Sequence, residues 1–71
     1  MMKLMLNGEI QEIPTNSDGQ ATVADLIVHL DMVGRPLAVE LNKEVIRFRN
    51  HPTTRLKDGD TVEVVSLVGG G

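Results

Sequence analysis

One segment of the chain has the periodicity of an amphipathic helix, and segments with strand-like alternation lie on both sides of it. Four apolar side chains fall at positions i, i+3, i+4 and i+7 and therefore share one stripe: Val23, Leu26, Ile27 and Leu30. Thr22 is a suitable N-cap, while Gly34, with Pro36 two residues later, indicates where the helix ends. The sequence predicts one main helix over residues 22–33, whose apolar stripe must be covered by another layer.

Strand signals precede this helix. Residues 2–6 alternate, residues 7–8 are Asn-Gly, the strongest short-range hairpin signal, and residues 9–13 form the second strand of the predicted hairpin. The two isoleucines of the second strand, Ile10 and Ile13, have opposite parity. We therefore expect a bulge in this strand or an early end before the proline that follows it.

Further strands follow the helix. Residues 37–41 alternate, residues 42–44 form a turn, and residues 45–48 are long enough for a short fourth strand. Residues 50–56 are expected to be irregular, and residues 61–67 form a β-branched strand suited to the centre of a sheet. The predicted fold class is α+β, with a mixed four- to five-stranded sheet packed on one helix.

Size and composition restrict the function. A chain of 71 residues forms one domain and buries only about 60% of its unfolded surface, which favours a binding or carrier protein over an enzyme. The chain has no cysteine, so no thiol side chain can carry sulfur or bind a metal. His29 and His51 lie too far apart in sequence to suggest a metal site, and we predict none.

Charge and hydropathy give further expectations. The formal net charge is -3, the basic residues are scattered, and Phe48 is the sole aromatic residue, so we expect no nucleic-acid partner. The apolar start of the chain, residues 1–6, is too short for a signal sequence or a membrane span. We expect a cytoplasmic protein without a membrane partner.

The chain ends on a short run of glycines directly after the last predicted strand. Glycine has no Cβ, so Gly69 and Gly70 would let a tail enter a narrow channel and present the carboxylate of Gly71 to a partner. Chain ends rich in small residues are also commonly poorly ordered without any function. Composition alone does not separate this simpler interpretation from a functional tail. The sequence predicts a folded domain over residues 1–67 and a flexible tail over residues 68–71.

The last strand also suggests a docking surface. Its alternation places Val62 and Val64 on the core face, so that Val65 and Leu67 point to the other side, close to Val68. Val65, Leu67 and Val68 are therefore candidate docking residues for a partner that receives the tail. Isolated exposed apolar residues also occur without any function.

Three segments together resemble the ubiquitin-like β-grasp sulfur carriers, most closely the ThiS-type carriers of thiamine thiazole synthesis. They are VELNKEVI at residues 39–46, LKDGD with VEVV at residues 56–65, and VGGG at residues 68–71. The sequence departs from the family pattern at residues 46–49, which read Ile-Arg-Phe-Arg where ThiS-type proteins often have Val-Pro-Arg. The resemblance implies a ubiquitin-like β-grasp fold.

The resemblance also implies a function and a set of partners. An E1-like adenylyltransferase would use ATP and Mg²⁺ to activate the carboxylate of Gly71, and a cysteine desulfurase or another sulfur donor would convert it to a thiocarboxylate. Thiazole synthase would then take the sulfur. The chain would be a co-substrate that binds no cofactor itself. Two alternatives remain open: a sulfur carrier of the molybdopterin-synthase small-subunit type, and a β-grasp interaction module that never uses its terminus.

Overall fold

The computed structural model describes residues 1–67, in which five strands form one mixed sheet with a single α-helix on one face. The elements in chain order are β1 (Met2–Leu6), β2 (Glu9–Ile13), α1 (Val23–His29), β3 (Leu37–Leu41), β4 (Glu44–Ile46), a 3₁₀ helix (Phe48–Thr53) and β5 (Thr61–Ser66). The strand order is β2-β1-β5-β3-β4. β1 and β5 are parallel, and the other neighbouring pairs are antiparallel. The predicted α+β architecture and the central position of β5 are confirmed.

Two-residue turns close both hairpins of the sheet. Asn7 and Gly8 have φ values of 48° and 84°, and Asn42 and Lys43 have φ values of 51° and 72°. Positive φ at both central residues is the signature of the type I′ turn, whose twist matches that of the strands it joins. The Asn-Gly hairpin is therefore where the sequence predicts it.

The second strand contains no bulge. Each residue of β2 has one partner in β1, from Met2 opposite Ile13 to Leu6 opposite Glu9. Ile13 is buried, whereas Ile10 lies on the opposite, exposed face of the strand. The expected bulge is wrong, and the alternative expectation, an end before Pro14, is what the structure shows.

The helix begins as predicted but ends one turn earlier. Thr22 caps its N-terminus in a capping box, in which its hydroxyl accepts from the amide of Asp25 and its own amide donates to the carboxylate of Asp25. At the other end Asp31 has a φ of 58°, its amide donates to the carbonyl of Val28, and the amide of Met32 donates to the carbonyl of Ile27. These two bonds form a Schellman motif with Asp31 at the left-handed position, so Gly34 is not the helix cap.

The fourth strand is shorter than predicted and begins earlier. Because the preceding turn has only two residues, Glu44 already pairs with Leu41, and the ladder ends at Ile46 opposite Val39. The chain then enters the 3₁₀ helix at Phe48, so the predicted strand over residues 45–48 and the predicted irregular segment are both wrong in detail. The 3₁₀ helix contains the buried residue His51, whose Nε2 lies 3.2 Å from the carbonyl oxygen of Ile46.

The core lies between α1 and the inner face of the sheet. It contains the predicted helical stripe, with Leu30 only partly buried, and the inward side chains of four strands. Its buried members are Met2, Leu4, Leu6, Ile13, Ala21, Val23, Leu26, Ile27, Val39, Leu56, Val62 and Val64. The opposite side of the sheet has no helix among the described residues, and we refer to it as the outer face.

Candidate functional site

The central strand β5 leads the chain to the candidate site. Its last residue, Ser66, pairs with Leu37, and the amide of Leu67 donates to the carbonyl of Pro36 at 2.9 Å. The chain is therefore held by backbone hydrogen bonds up to the last described residue. The predicted carrier residue Gly71, the tail glycines Gly69 and Gly70, and the docking candidate Val68 lie outside the described residues. Their roles, and the division into a domain over 1–67 and a tail over 68–71, stay predictions.

Two of the three docking candidates are described, and both are exposed. Val65 is 54% exposed and Leu67 is 62% exposed, whereas their neighbours Val62 and Val64 are buried. The predicted alternation of this strand is therefore confirmed. Val65 lies on the outer face opposite Ala38 of β3. Together these two side chains form a small apolar area just before the end of the described chain.

An acidic pair lies next to this apolar area. Glu40 of β3 and Glu63 of β5 are directly opposite each other on the outer face, and both are exposed. Val45, which is also exposed, pairs with Glu40 on its other side. Like charges directly opposite each other destabilise a sheet, so this pair lowers the stability of the isolated chain. A basic partner surface would relieve that repulsion.

The sequence does not reveal this pair. The alternation of β3 and β5 places each glutamate on the outer face, but only the register of the two strands brings Glu40 opposite Glu63. Antiparallel pairing of strands far apart in sequence has no local signal when no short turn joins them. A prediction of the β3–β5 register would be needed to find the pair.

A third acidic residue of this region has a structural role. Asp60 directly precedes β5 and is only 6% exposed. One of its oxygens accepts from Nδ2 of Asn42 at 3.1 Å, and the other accepts from the amide of Lys57 at 2.7 Å. Asp60 fixes the turn that begins β5 instead of presenting its charge on the outer face.

Two asparagines from the hairpin turns hold β5 in place. Oδ1 of Asn7 accepts from the amide of Val64 at 2.8 Å, and its Nδ2 donates to the carbonyl of the same residue at 3.2 Å. The Asn7 side chain thereby continues the parallel β1–β5 ladder beyond the end of β1. Oδ1 of Asn42 accepts from the amide of Thr61 at 2.9 Å. Both contacts position the strand that leads to the tail.

Neither a metal site nor a membrane span is found in the described part of the chain. Residues 1–67 contain no group of three or more side chains that could hold a metal ion together. No helix within this range is both long enough and apolar enough to cross a bilayer.

Comparison with known proteins identifies the family. The sequence pattern of the ThiS family matches residues 4–71. The sulfur carrier protein ThiS of Bacillus subtilis is 34% identical over 68 residues, which cover 96% of this chain and 98% of that protein. A thiazole synthase of Paramagnetospirillum magneticum is 36% identical over 70 residues, or 99% of this chain. The chain spans only 20% of the length of the thiazole synthases it matches.

A solved structure has the same fold. The crystal structure of the thiamine biosynthesis protein ThiS from Geobacter metallireducens superposes with a TM-score of 0.79. The two sequences are 32% identical, and the match covers 99% of this chain and all of the other. The ubiquitin-like β-grasp fold expected from the sequence is confirmed. The family pattern over residues 4–71, the near-complete match to the Bacillus carrier and the shared fold together show that this chain belongs to the ThiS family.

Proposed function

We propose that this protein is a sulfur carrier of thiamine biosynthesis that transports sulfur as a thiocarboxylate on Gly71. The observation that carries the proposal is the match of the ThiS family pattern through the glycine terminus, over residues 4–71. The exposed apolar area beside the end of β5 supports it, because a partner that receives the tail must also contact the domain. In this proposal the chain is a co-substrate and not a catalyst.

The chemistry of a carboxylate explains why a partner enzyme is required. An ionised carboxylate is a poor electrophile at neutral pH, because its negative charge repels an incoming nucleophile. An E1-like adenylyltransferase would join the Gly71 carboxylate to the α-phosphate of ATP with Mg²⁺ and release pyrophosphate. The acyl-adenylate then has a good leaving group. The chain needs no cofactor of its own for this step.

Sulfur enters by displacement of AMP. A persulfide on a donor protein, supplied by a cysteine desulfurase or another donor system, attacks the activated carbonyl carbon of Gly71. The product is an acyl disulfide, which a second thiol cleaves to leave the thiocarboxylate on Gly71 and a disulfide on the donor side. The chain has no cysteine, so both thiols come from partners.

The outer face supplies a docking surface with a defined chemistry. Val65 and Leu67 offer apolar contacts, and Glu40 and Glu63 place two negative charges beside them. We infer that the activating enzyme presents a basic, partly apolar surface to this face. Complementary charge mainly raises the association rate, while the buried apolar contacts slow dissociation.

The sulfur acceptor in this proposal is thiazole synthase. Relatives named thiazole synthase contain a region 36% identical to nearly the whole of this chain. The occurrence of a similar sequence within such proteins favours a functional connection between the carrier and the synthase. A carrier of the molybdopterin-synthase type would use the same activation chemistry and a different acceptor, so the acceptor assay separates the two pathways.

Extension of the chain by one residue tests the proposal. Addition of alanine after Gly71 leaves the domain over residues 1–67 unchanged but moves the carboxylate away from the position that the activating enzyme requires. We expect the E1-like enzyme to release pyrophosphate from ATP when it is incubated with the unextended chain. With the extended chain we expect no release. No pyrophosphate release with either chain would favour an interaction module that does not use its terminus, and equal release with both would contradict the requirement for a carboxylate at Gly71.

A further inference from the structure

The turn between β1 and β2 contains an asparagine followed by a glycine, which is a chemically labile pair. Asparagine is thermolabile because the backbone nitrogen of the next residue can attack its side-chain amide. A glycine at that next position speeds the attack, since it has no Cβ to hinder the approach. The sequence has four asparagines, and Asn7 is the one that precedes a glycine.

Solvent reaches this turn freely. Asn7 and Gly8 are both exposed, and no described residue other than the chain neighbours places an atom within 4 Å of the position that a Cβ on Gly8 would occupy. Water and a base can therefore reach the Gly8 nitrogen. Access alone does not set the rate of the reaction, because the Asn7 side chain must also be able to turn toward that nitrogen.

The folded structure holds the Asn7 side chain in another direction. Its Oδ1 accepts from the amide of Val64 at 2.8 Å, and its Nδ2 donates to the carbonyl of Val64 at 3.2 Å. The backbone is held as well, since the amide of Asn7 donates to the carbonyl of Val62 at 2.9 Å. Two hydrogen bonds to one residue of β5 fix the orientation of the side-chain amide.

We propose that Asn7 is a site of spontaneous deamidation that reacts when β5 releases its side chain. The Gly8 nitrogen loses its proton to a base in solvent and forms a bond to Cγ of Asn7. The bond from Cγ to Nδ2 breaks, and ammonia leaves a five-membered cyclic imide. Water then opens the ring at one of its two carbonyl carbons. Opening at Cγ gives aspartate, and opening at the main-chain carbonyl carbon gives isoaspartate.

Neither product can replace asparagine at this position. A carboxylate has no N–H to donate, so at residue 7 one of its oxygens would face the carbonyl oxygen of Val64 without a proton between them. Isoaspartate also adds a methylene group to the main chain of a two-residue turn. Deamidation therefore removes a contact that fixes the strand leading to the tail. This proposal goes beyond the carrier function and does not depend on it.

The rate of deamidation in the full chain tests the gating by β5. One sample is kept folded at mildly alkaline pH and another is unfolded in guanidinium chloride, and each asparagine is followed by peptide mass spectrometry. Isoaspartate is detected with an isoaspartate methyltransferase and labelled S-adenosylmethionine. We expect Asn7 to react at least about 10-fold more slowly in the folded sample. Asn42 is the matched control, because it also begins a type I′ turn but precedes Lys43, and it should react more slowly than Asn7 when unfolded.

Hydrogen exchange measures the same opening independently. The amide of Val64 donates to Oδ1 of Asn7, so it exchanges with solvent when that contact breaks. The factor by which folding slows this exchange should agree within about 10-fold with the factor by which folding slows deamidation of Asn7.

An aspartate variant tests the effect of the product on the fold. Asn7→Asp should lower the ratio of folded to unfolded protein in urea roughly 5-fold or more, because the bond to the Val64 carbonyl is lost. Asn16→Asp is the matched control with the same change in charge. The side-chain oxygen of Asn16 accepts from the amides of Asp18 and Gln20, and a carboxylate fills that role equally well.

Three results would overturn the proposal. The first is equally fast deamidation of Asn7 in the folded and unfolded samples, or slowing by folding that is far weaker than that of Val64 exchange, since Asn7 would then react without leaving Val64. The second is faster reaction at Asn42 than at Asn7 in the unfolded chain. The third is equal stability of the Asn7→Asp and Asn16→Asp variants.

Discussion

At the scale of single residues, polar side chains, one of them buried, fix the strand that leads to the tail. Asp60 is an acid in a nearly buried position, and each of its carboxylate oxygens accepts one hydrogen bond from the protein. Asn7 and Asn42 complete the arrangement, since each bonds to the backbone of β5. The within-strand alternation reveals none of this, because the partners are up to 57 residues apart.

Replacement of Asp60 with alanine tests this role. Asp60→Ala leaves the amide of Lys57 and Nδ2 of Asn42 without their partner, and an unmade buried hydrogen bond costs about 1–3 kcal/mol. We expect the free energy of unfolding, measured by urea denaturation, to fall by roughly that amount. Asp18→Ala, an exposed loop change, should shift it by less than about 0.5 kcal/mol. Equal effects of the two changes would contradict a structural role for Asp60.

At the scale of elements, local signals predict starts and turns better than ends. The Asn-Gly hairpin and the Thr22 capping box are found where the sequence indicates them, because each depends on residues a few positions apart. The helix ends earlier than the sequence predicts because an aspartate, Asp31, and not a glycine takes the left-handed position. β4 begins and ends earlier than the sequence predicts, because its limits follow from the two-residue turn and from its pairing with β3.

The unusual helix end gives a stability prediction. Asp31 has a φ of 58°, a conformation that costs less for glycine, and its negative charge lies near the negative end of the helix dipole. Asp31→Gly should therefore raise the free energy of unfolding by about 0.5–1 kcal/mol. Asp31→Asn separates the two causes, since asparagine tolerates this backbone but has no charge. A loss of stability in Asp31→Gly would mean that the carboxylate makes a favourable contact at this position.

The acidic pair on the outer face predicts opposite effects on stability and on binding. Glu63→Lys places a lysine opposite Glu40, and exchange of a repulsive cross-strand pair for an attractive one should stabilise the fold by about 0.2–1 kcal/mol. The same change should slow association with the activating enzyme roughly 3- to 10-fold at low salt, measured by stopped-flow fluorescence.

A matched charge change provides the control. Glu44→Lys alters the net charge equally, but Glu44 lies on the other side of the sheet, as its pairing with Leu41 shows. We expect the association rate of this variant to stay close to that of the unmodified chain. If both variants slowed association equally, the effect would come from net charge and not from docking on the outer face.

At the scale of the whole molecule, the sequence predicts the fold and the family but not the surfaces. The helical stripe, the hairpins and the final strand specify one helix on a mixed sheet, and the resemblance to ThiS-type carriers is confirmed by the family pattern over residues 4–71. The acidic pair depends on the register of β3 and β5. This is a long-range property, and no run of neighbouring residues encodes it.

The tail itself gives a prediction that separates folding from activity. Valine at position 70 adds a branched Cβ and restricts φ and ψ, so a chain end that must enter a narrow active site should no longer fit. Gly70→Val should unfold at the same urea concentration as the unmodified chain, yet show no ATP-dependent pyrophosphate release with the E1-like enzyme. Normal pyrophosphate release from this variant would show that the tail does not enter a narrow channel.

The most direct test of the carrier function is the intact mass of the protein after reaction with its partners. The chain is incubated with ATP, Mg²⁺, the E1-like enzyme, a cysteine desulfurase, cysteine and a reducing thiol. We predict a mass increase equal to the exchange of one oxygen for one sulfur, and alkylation that maps the new sulfur to Gly71. An unchanged mass, with partners that are active on another ThiS protein, would contradict the proposal that this chain carries sulfur on its terminus.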